Sequence, residues 1–184
     1  KVEVIVYDDE SDTTKAVTAV DRLIKRDRVV AGIGPSTSGS TLAIVPKIEE
    51  APVPLISCAA ARKIVEPVRR WVFKVVASDI LAVKKIFHDL KPRGLTKVAI
   101  LTASDGYGAG GREDIKELAP QMGIALVADE VFGPKDTDMT AQLTRIKGTE
   151  AQAIVVWGTN PGPAVIARNR VQLKIATPMY MSSG

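Results

Sequence analysis

Short β-branched runs alternating with amphipathic stretches of about a dozen residues constrain this chain more than any other feature, because strands separated by helices of that length pair in parallel. Residues 2–7 alternate and are rich in valine, and the acidic break at Asp8, Asp9 and Glu10 precedes an amphipathic run over 14–26. Short apolar strands follow at 29–33 and 53–57, with a helix at 38–49 between them that Pro46 interrupts late. A further strand at 71–76 leads to Ser78, a good N-cap for a helix reaching Leu90. The alternation then repeats with strands at 97–102, 125–132, 153–158 and 178–181 and helices at 107–122, 139–147 and 161–173. Gly123 stands where a helix C′ residue is expected. The predicted fold is α/β, two doubly wound parallel-sheet lobes joined near residues 75–79, with 1–76 as part of lobe I and 77–184 as part of lobe II.

Composition narrows the function. The chain is 46% hydrophobic, enough for a real core, and carries 25 Lys plus Arg against 21 Asp plus Glu for a formal charge of +4. The cations are scattered in small groups such as Arg62 with Lys63 and Lys84 with Lys85, so a solvated surface explains them and no nucleic-acid partner is expected. A single cysteine, Cys58, excludes an internal disulfide and a thiolate zinc cage. No run reaches the roughly 20 apolar residues of a membrane span. The residues given begin directly on an alternating strand pattern, which reads as a mature or trimmed piece without a secretion signal.

In open parallel sheets ligands sit at the carboxyl ends of strands, so four loops hold the candidates. The first, GPSTSGST over 34–41, has the spacing of a P-loop, but Ser40 stands where the phosphate-binding lysine is required. Its hydroxyls and free helix N-terminal amides suit one carboxylate, or form an ordinary N-cap. The second, GYGAGG over 106–111, matches GxGxxG, and Asp129 and Glu130 lie where a ribose-binding acid would stand. Residues 103–105 separate it from its strand and Tyr107 fills the turn, so an NAD-dependent Rossmann enzyme is a minor alternative. Tyr107 offers a flat apolar face and a hydroxyl to a small ligand, or packs over the helix start. The third loop, SCAAA over 57–61, has side chains small enough to let a ligand approach the backbone. The fourth, WGTNP over 157–161, places polar groups ahead of a helix, with Trp157 read first as core.

Catalytic chemistry finds little support. The only histidine, His88, falls inside a helix away from every strand-end loop, and Cys58 has no evident base. The pairs Asp8 with Asp9 and Asp136 with Asp138 read as solvated turn formers, with no EF-hand pattern, so no metal and no cofactor are expected.

Taken in order, DDESD at 8–12, GIGPSTSGST ending at Thr41, VPLIS at 53–57, WVFKVVASD at 71–79, SDGYGAG at 104–110 and KDTDMTAQLTRIK at 135–147 resemble the class I periplasmic solute-binding proteins of ABC transporters, of the branched-chain amino acid (Leu/Ile/Val) binding type. Almost the whole chain takes part in the resemblance. It implies a periplasmic or extracellular, non-enzymatic protein whose hinged lobes close on an amino acid or related small carboxylate and present it to a membrane permease. A ligand-sensing receptor domain of the same fold is the alternative. The ligand carboxylate is then held by a hydroxyl and backbone amides at Ser38, Ala59 and Ala61, with Ala60 between them. The family commonly has threonine where this chain has Ala61. The aromatic contact of the second lobe carries over to Tyr107, and a later contact to Thr159 or Asn160. The acid that receives the ligand's ammonium falls near Ser182 or Ser183, where there is no carboxylate. Asp105 or a residue beyond Gly184 replaces it, or the ligand is an acid without an α-amino group. By the family pattern the first strand and helix of lobe I and the segments that cross back between lobes are missing, so these residues alone are expected to bind weakly or to self-associate.

Overall fold

Asp12 starts the first helix: its carboxylate accepts the N–H groups of Thr14 and Lys15 at 2.8 and 2.9 Å, satisfying two amides that a helix start leaves without partners. That helix is α1 (Thr13–Lys25), and it is followed by β1 (Gly32–Ile33), α2 (Ser38–Glu50), β2 (Leu55–Ser57) and β3 (Val72–Lys74). The computed structural model describes residues 1–182 and divides into two compact units, the first ending at Ser78 and the second starting at Asp79.

In the first unit the sheet order is β1-β2-β3, all parallel, with Leu55 opposite Val72 and Ile56 opposite Phe73. Because side chains alternate between faces, Leu55 and Val72 point into a core with Ala16 and Val20 of α1 and Ile44, Val45 and Ile48 of α2. Among the described residues nothing covers the opposite face: Ile33, Ile56 and Phe73 lie 82%, 37% and 52% exposed. Pro46 does not interrupt α2, which runs through it to Glu50; the ring faces solvent while Ile44, Val45 and Ile48 clamp the same turns to the sheet. Residues 2–7 form no strand, and Val2, Val4 and Val6 are exposed, since an alternating pattern makes a strand only where a neighbouring ladder accepts it.

The second unit contains α3 (Asp79–Leu90), β4 (Lys97–Ala103), α4 (Gly106–Gln121), β5 (Ala125–Phe132), α5 (Thr140–Lys147), β6 (Ala153–Trp157), α6 (Gly162–Gln172) and β7 (Met179–Met181). Its sheet order is β5-β4-β6-β7, again all parallel. Ala99, Leu101, Ile154 and Val156 pack with Leu143 and Ile146 of α5 and Ile166 of α6 on one face. The alternate residues of β4 and β6 are buried too, on the face that α4 covers. Continuous apolar runs such as AIVVW are the pattern expected of a parallel sheet covered on both faces.

Candidate functional site

Three chain segments of the first unit meet at the carboxyl ends of its strands, and short hydrogen bonds fix their loops. Gly34 leaves β1 with φ +101°, a conformation that side chains rarely adopt, and its N–H donates to the Ile56 carbonyl at 2.9 Å. The chain then turns into α2, where Thr37 is the N-cap residue by backbone conformation but makes no side-chain capping bond. The first-turn amides of α2 therefore keep the partial positive charge of a helix start. Among the described residues, Thr37 Oγ1 and Ser40 Oγ are buried oxygens without a hydrogen-bond partner.

The 58–61 loop after β2 is pinned residue by residue. Cys58 N–H donates to the Pro35 carbonyl at 3.1 Å, and Ala59 N–H donates to Ser57 Oγ at 3.1 Å, which itself pairs with Thr41 Oγ1 at 2.9 Å. Ala61 N–H donates to Ser38 Oγ at 3.2 Å, and Lys74 Nζ donates to the Ala60 carbonyl at 2.6 Å. Ser38, Ala59, Ala60 and Ala61 are thus brought together, with Ser38, Ala59 and Ala61 buried and Ala60 half-buried. The amides of Ala59 and Ala61 are already engaged by hydroxyl oxygens. A hydroxyl that accepts still has its own proton to donate, so the donors on offer at this spot include Ser38 O–H and the α2 amides beside the Thr37 and Ser40 hydroxyls. Ser57 and Thr41 fell inside the candidate loops without a role of their own, and Lys74 was not singled out by sequence; the signal available for it was its position at a strand end.

In the second unit the expected residues lie at the carboxyl ends of β4 and β6. Asp105 is the N-cap of α4, its carboxylate accepting the Tyr107 and Gly108 N–H groups at 3.0 and 2.8 Å. Tyr107 is buried beside Trp157, with ring centroids 6.1 Å apart. Thr159 and Asn160 are exposed on the loop after β6. Ser182 reaches that loop from the end of β7, its hydroxyl donating to the Gly158 carbonyl at 3.2 Å. Ser183 lies outside the described residues.

The glycine-rich 106–111 stretch is part of α4 and not a loop. A Cβ on Gly108 would overlap the Ala103 carbonyl, and one on Gly111 would overlap the Trp157 ring, so these glycines let the helix lie close against β4 and β6. Asp129 is held by Arg112 and Lys116, and Glu130 by Arg145. Burial pushes the Asp129 carboxyl up, but the hydrogen bonds from Arg112 and Lys116 outweigh it and hold it below the ordinary value. Neither acid is a ribose partner here, and the dinucleotide alternative loses its fingerprint. His88 is exposed on α3. Among the described residues no group of three or more His, Cys, Asp or Glu is arranged to hold a metal, and no helix there is long and apolar enough to cross a membrane.

Comparison with known proteins agrees with this architecture. A family model described as periplasmic binding protein matches residues 1–171. An amino acid binding protein of Pseudomonas aeruginosa is 25% identical over 172 residues, covering 90% of this chain and 45% of that protein. The leucine binding protein LivK of Thermotoga maritima superposes with a TM-score of 0.91 at 27% identity, covering 98% of this chain and 52% of that one. The branched-chain amino acid transporter substrate binding protein LivJ of Streptococcus pneumoniae, solved in complex with isoleucine, gives 0.84 at 30% identity, covering 97% and 51%. The chain therefore spans about half the length of these relatives. With a match over nearly its whole length and both parallel sheets in place, the chain belongs to the periplasmic binding protein family.

Proposed function

We propose that this chain belongs to the extracytoplasmic solute-binding component of an ABC importer and holds the carboxylate of an amino acid or related small acid at the start of α2. The observation that carries this reading is the joining of Ser38 to the 58–61 loop. Ser38 Oγ is fixed by Ala61 N–H, which leaves its proton free to donate beside the unpaired first-turn amides of a 13-residue helix. Buried, unpartnered hydroxyl oxygens at Thr37 and Ser40 supply further donors. The reading takes residues 1–76 as part of one lobe and 77–184 as part of the other. Asp105, Tyr107, Thr159 and Asn160 are proposed as the second lobe's ligand contacts, and a membrane permease as the partner.

Calorimetric titration of the intact two-lobed protein with L-leucine, 4-methylpentanoate and benzoate tests this. Heat from at least one acid, with affinity weakened by about tenfold in Ser38→Ala, is expected; leucine alone giving heat would mean that the ammonium has a partner, Asp105 being the first to mutate. No heat from any of the three, or binding that survives Ser38→Ala undiminished, counts against the reading.

A further inference from the structure

Lys74 stands at the carboxyl end of β3, in register with Ser57 of β2, and its side chain is half-buried. Its ammonium donates to the Ala60 carbonyl at 2.6 Å, while the next amide, Ala61 N–H, donates to Ser38 Oγ at 3.2 Å. That carbonyl and that N–H belong to one peptide unit, which is trans. In a trans peptide the two groups point in opposite directions. The Ala60–Ala61 peptide is therefore strung between a cation on one side and the Ser38 hydroxyl oxygen on the other.

We propose that Lys74 is a positioning residue for Ser38, acting through this peptide. Held at its carbonyl, the peptide cannot rotate, so its N–H stays aimed at Ser38 Oγ. A charged donor on the carbonyl also polarises the unit and strengthens the N–H as a donor, the cooperativity expected of linked hydrogen bonds. With its lone pair occupied, the Ser38 oxygen directs its own proton away from Ala61, toward the start of α2. Lys74 thus sets which way the hydroxyl donates without itself having to touch a ligand. The ligand half of this proposal rests on the carboxylate reading above; the peptide half does not.

The test therefore has two parts. In the free protein, hydrogen exchange at Ala61 is expected to quicken by about tenfold in Lys74→Met, the worth of one charge-assisted hydrogen bond, and to return toward the parent rate in Lys74→Arg, which keeps a charged donor. The milder Lys74→Gln serves should the methionine variant loosen α2 as a whole. Ala61 exchange unchanged in both Met and Gln variants overturns the proposal. In titrations with L-leucine and 4-methylpentanoate, Lys74→Met is expected to weaken binding by about tenfold in the parent and by nothing further in Ser38→Ala, because residues acting through one contact are non-additive. Fully additive losses overturn it. Quickened exchange at Ala61 with no binding by the parent protein would remove the carboxylate reading and leave the positioning role of Lys74 standing.

Discussion

The two sheets use the same parallel strand-and-helix grammar, yet β6 is buried along its whole length while the first sheet buries one face and leaves Ile33, Ile56 and Phe73 on the other. In the second unit α5 and α6 close one side and α4 the other; in the first, α1 and α2 share a single side. A parallel sheet buried on both faces gains from every side chain, whereas one covered on a single face gains from alternate ones. The anchoring of the second unit therefore lies in its core. The first unit's strand-end loops are held by a polar lattice of Thr41, Ser57, Ser38 and Lys74.

The sharpest way to break this comparison is a matched pair of truncations. Ile154→Ala, in the middle of β6, should cost about 3 kcal/mol, while Ile56→Ala, on the open face of β2, should cost less than about 1 kcal/mol. Each unit has one tryptophan, Trp71 in the first and Trp157 in the second, so urea unfolding followed by fluorescence reads Ile154→Ala in a Trp71→Phe background and Ile56→Ala in a Trp157→Phe background. Equal losses at the two isoleucines would mean that the first sheet's outer face is covered in solution.

A smaller effect is expected where backbone meets side chain. Gly111→Ala forces a methyl into the Trp157 ring and should cost about 1–3 kcal/mol by overpacking, with a shift in Trp157 emission. Gly32→Ala in the first unit meets only the flexible end of Leu55, at 3.2 Å, and should change stability by under about 1 kcal/mol. A Gly111→Ala protein as stable as its parent would show that α4 can move off β6 freely.

Most of the second unit was legible in the sequence because its central strands, KVAILTA and AIVVW, are nearly continuous apolar runs separated by stretches long enough for a helix. The glycines over 106–111 were misleading for a physical reason. A glycine records either freedom to turn or the need for a thin residue, and only the partner, here Trp157 or the Ala103 carbonyl, tells which. In the first unit the rule that ligand loops sit at strand carboxyl ends pointed to the 34–41 and 57–61 loops separately, and the family resemblance joined Ser38 to Ala59 and Ala61. The role of Lys74 was not visible, since in sequence it is one cation after an apolar strand. Its meaning depends on which carbonyl it reaches. The valines of residues 2–7 read as a strand because alternation records what a segment can do, not whether a ladder is there to receive it.

The smallest effect separates the two units by pH. Asp129 of β5 accepts from Arg112 Nε and Nη2 and from Lys116 Nζ, each at 2.7 Å, and its side chain is mostly buried. Burial alone would raise its pKa, but the hydrogen bonds from Arg112 and Lys116 leave it below the ordinary 3.8. A depressed carboxylate stabilises the folded state above its unfolded pKa, and that contribution is lost as pH falls through the lower folded value. Asp129→Asn should therefore lower stability by about 1 kcal/mol near neutral pH, and the gap to the parent should close as the pH drops below 3.8. Asp27 of the first unit is also depressed, by hydrogen bonds from Arg26 and Tyr7, but it meets one cation, whose side chain is 66% exposed and screened by solvent, where Asp129 meets two; Asp27→Asn should change unfolding less at every pH. Parallel urea titrations at neutral pH and below the carboxylate range decide this. A larger loss at Asp27 than at Asp129 would mean that the first unit depends more heavily on its surface charges than its hydroxyl lattice implies.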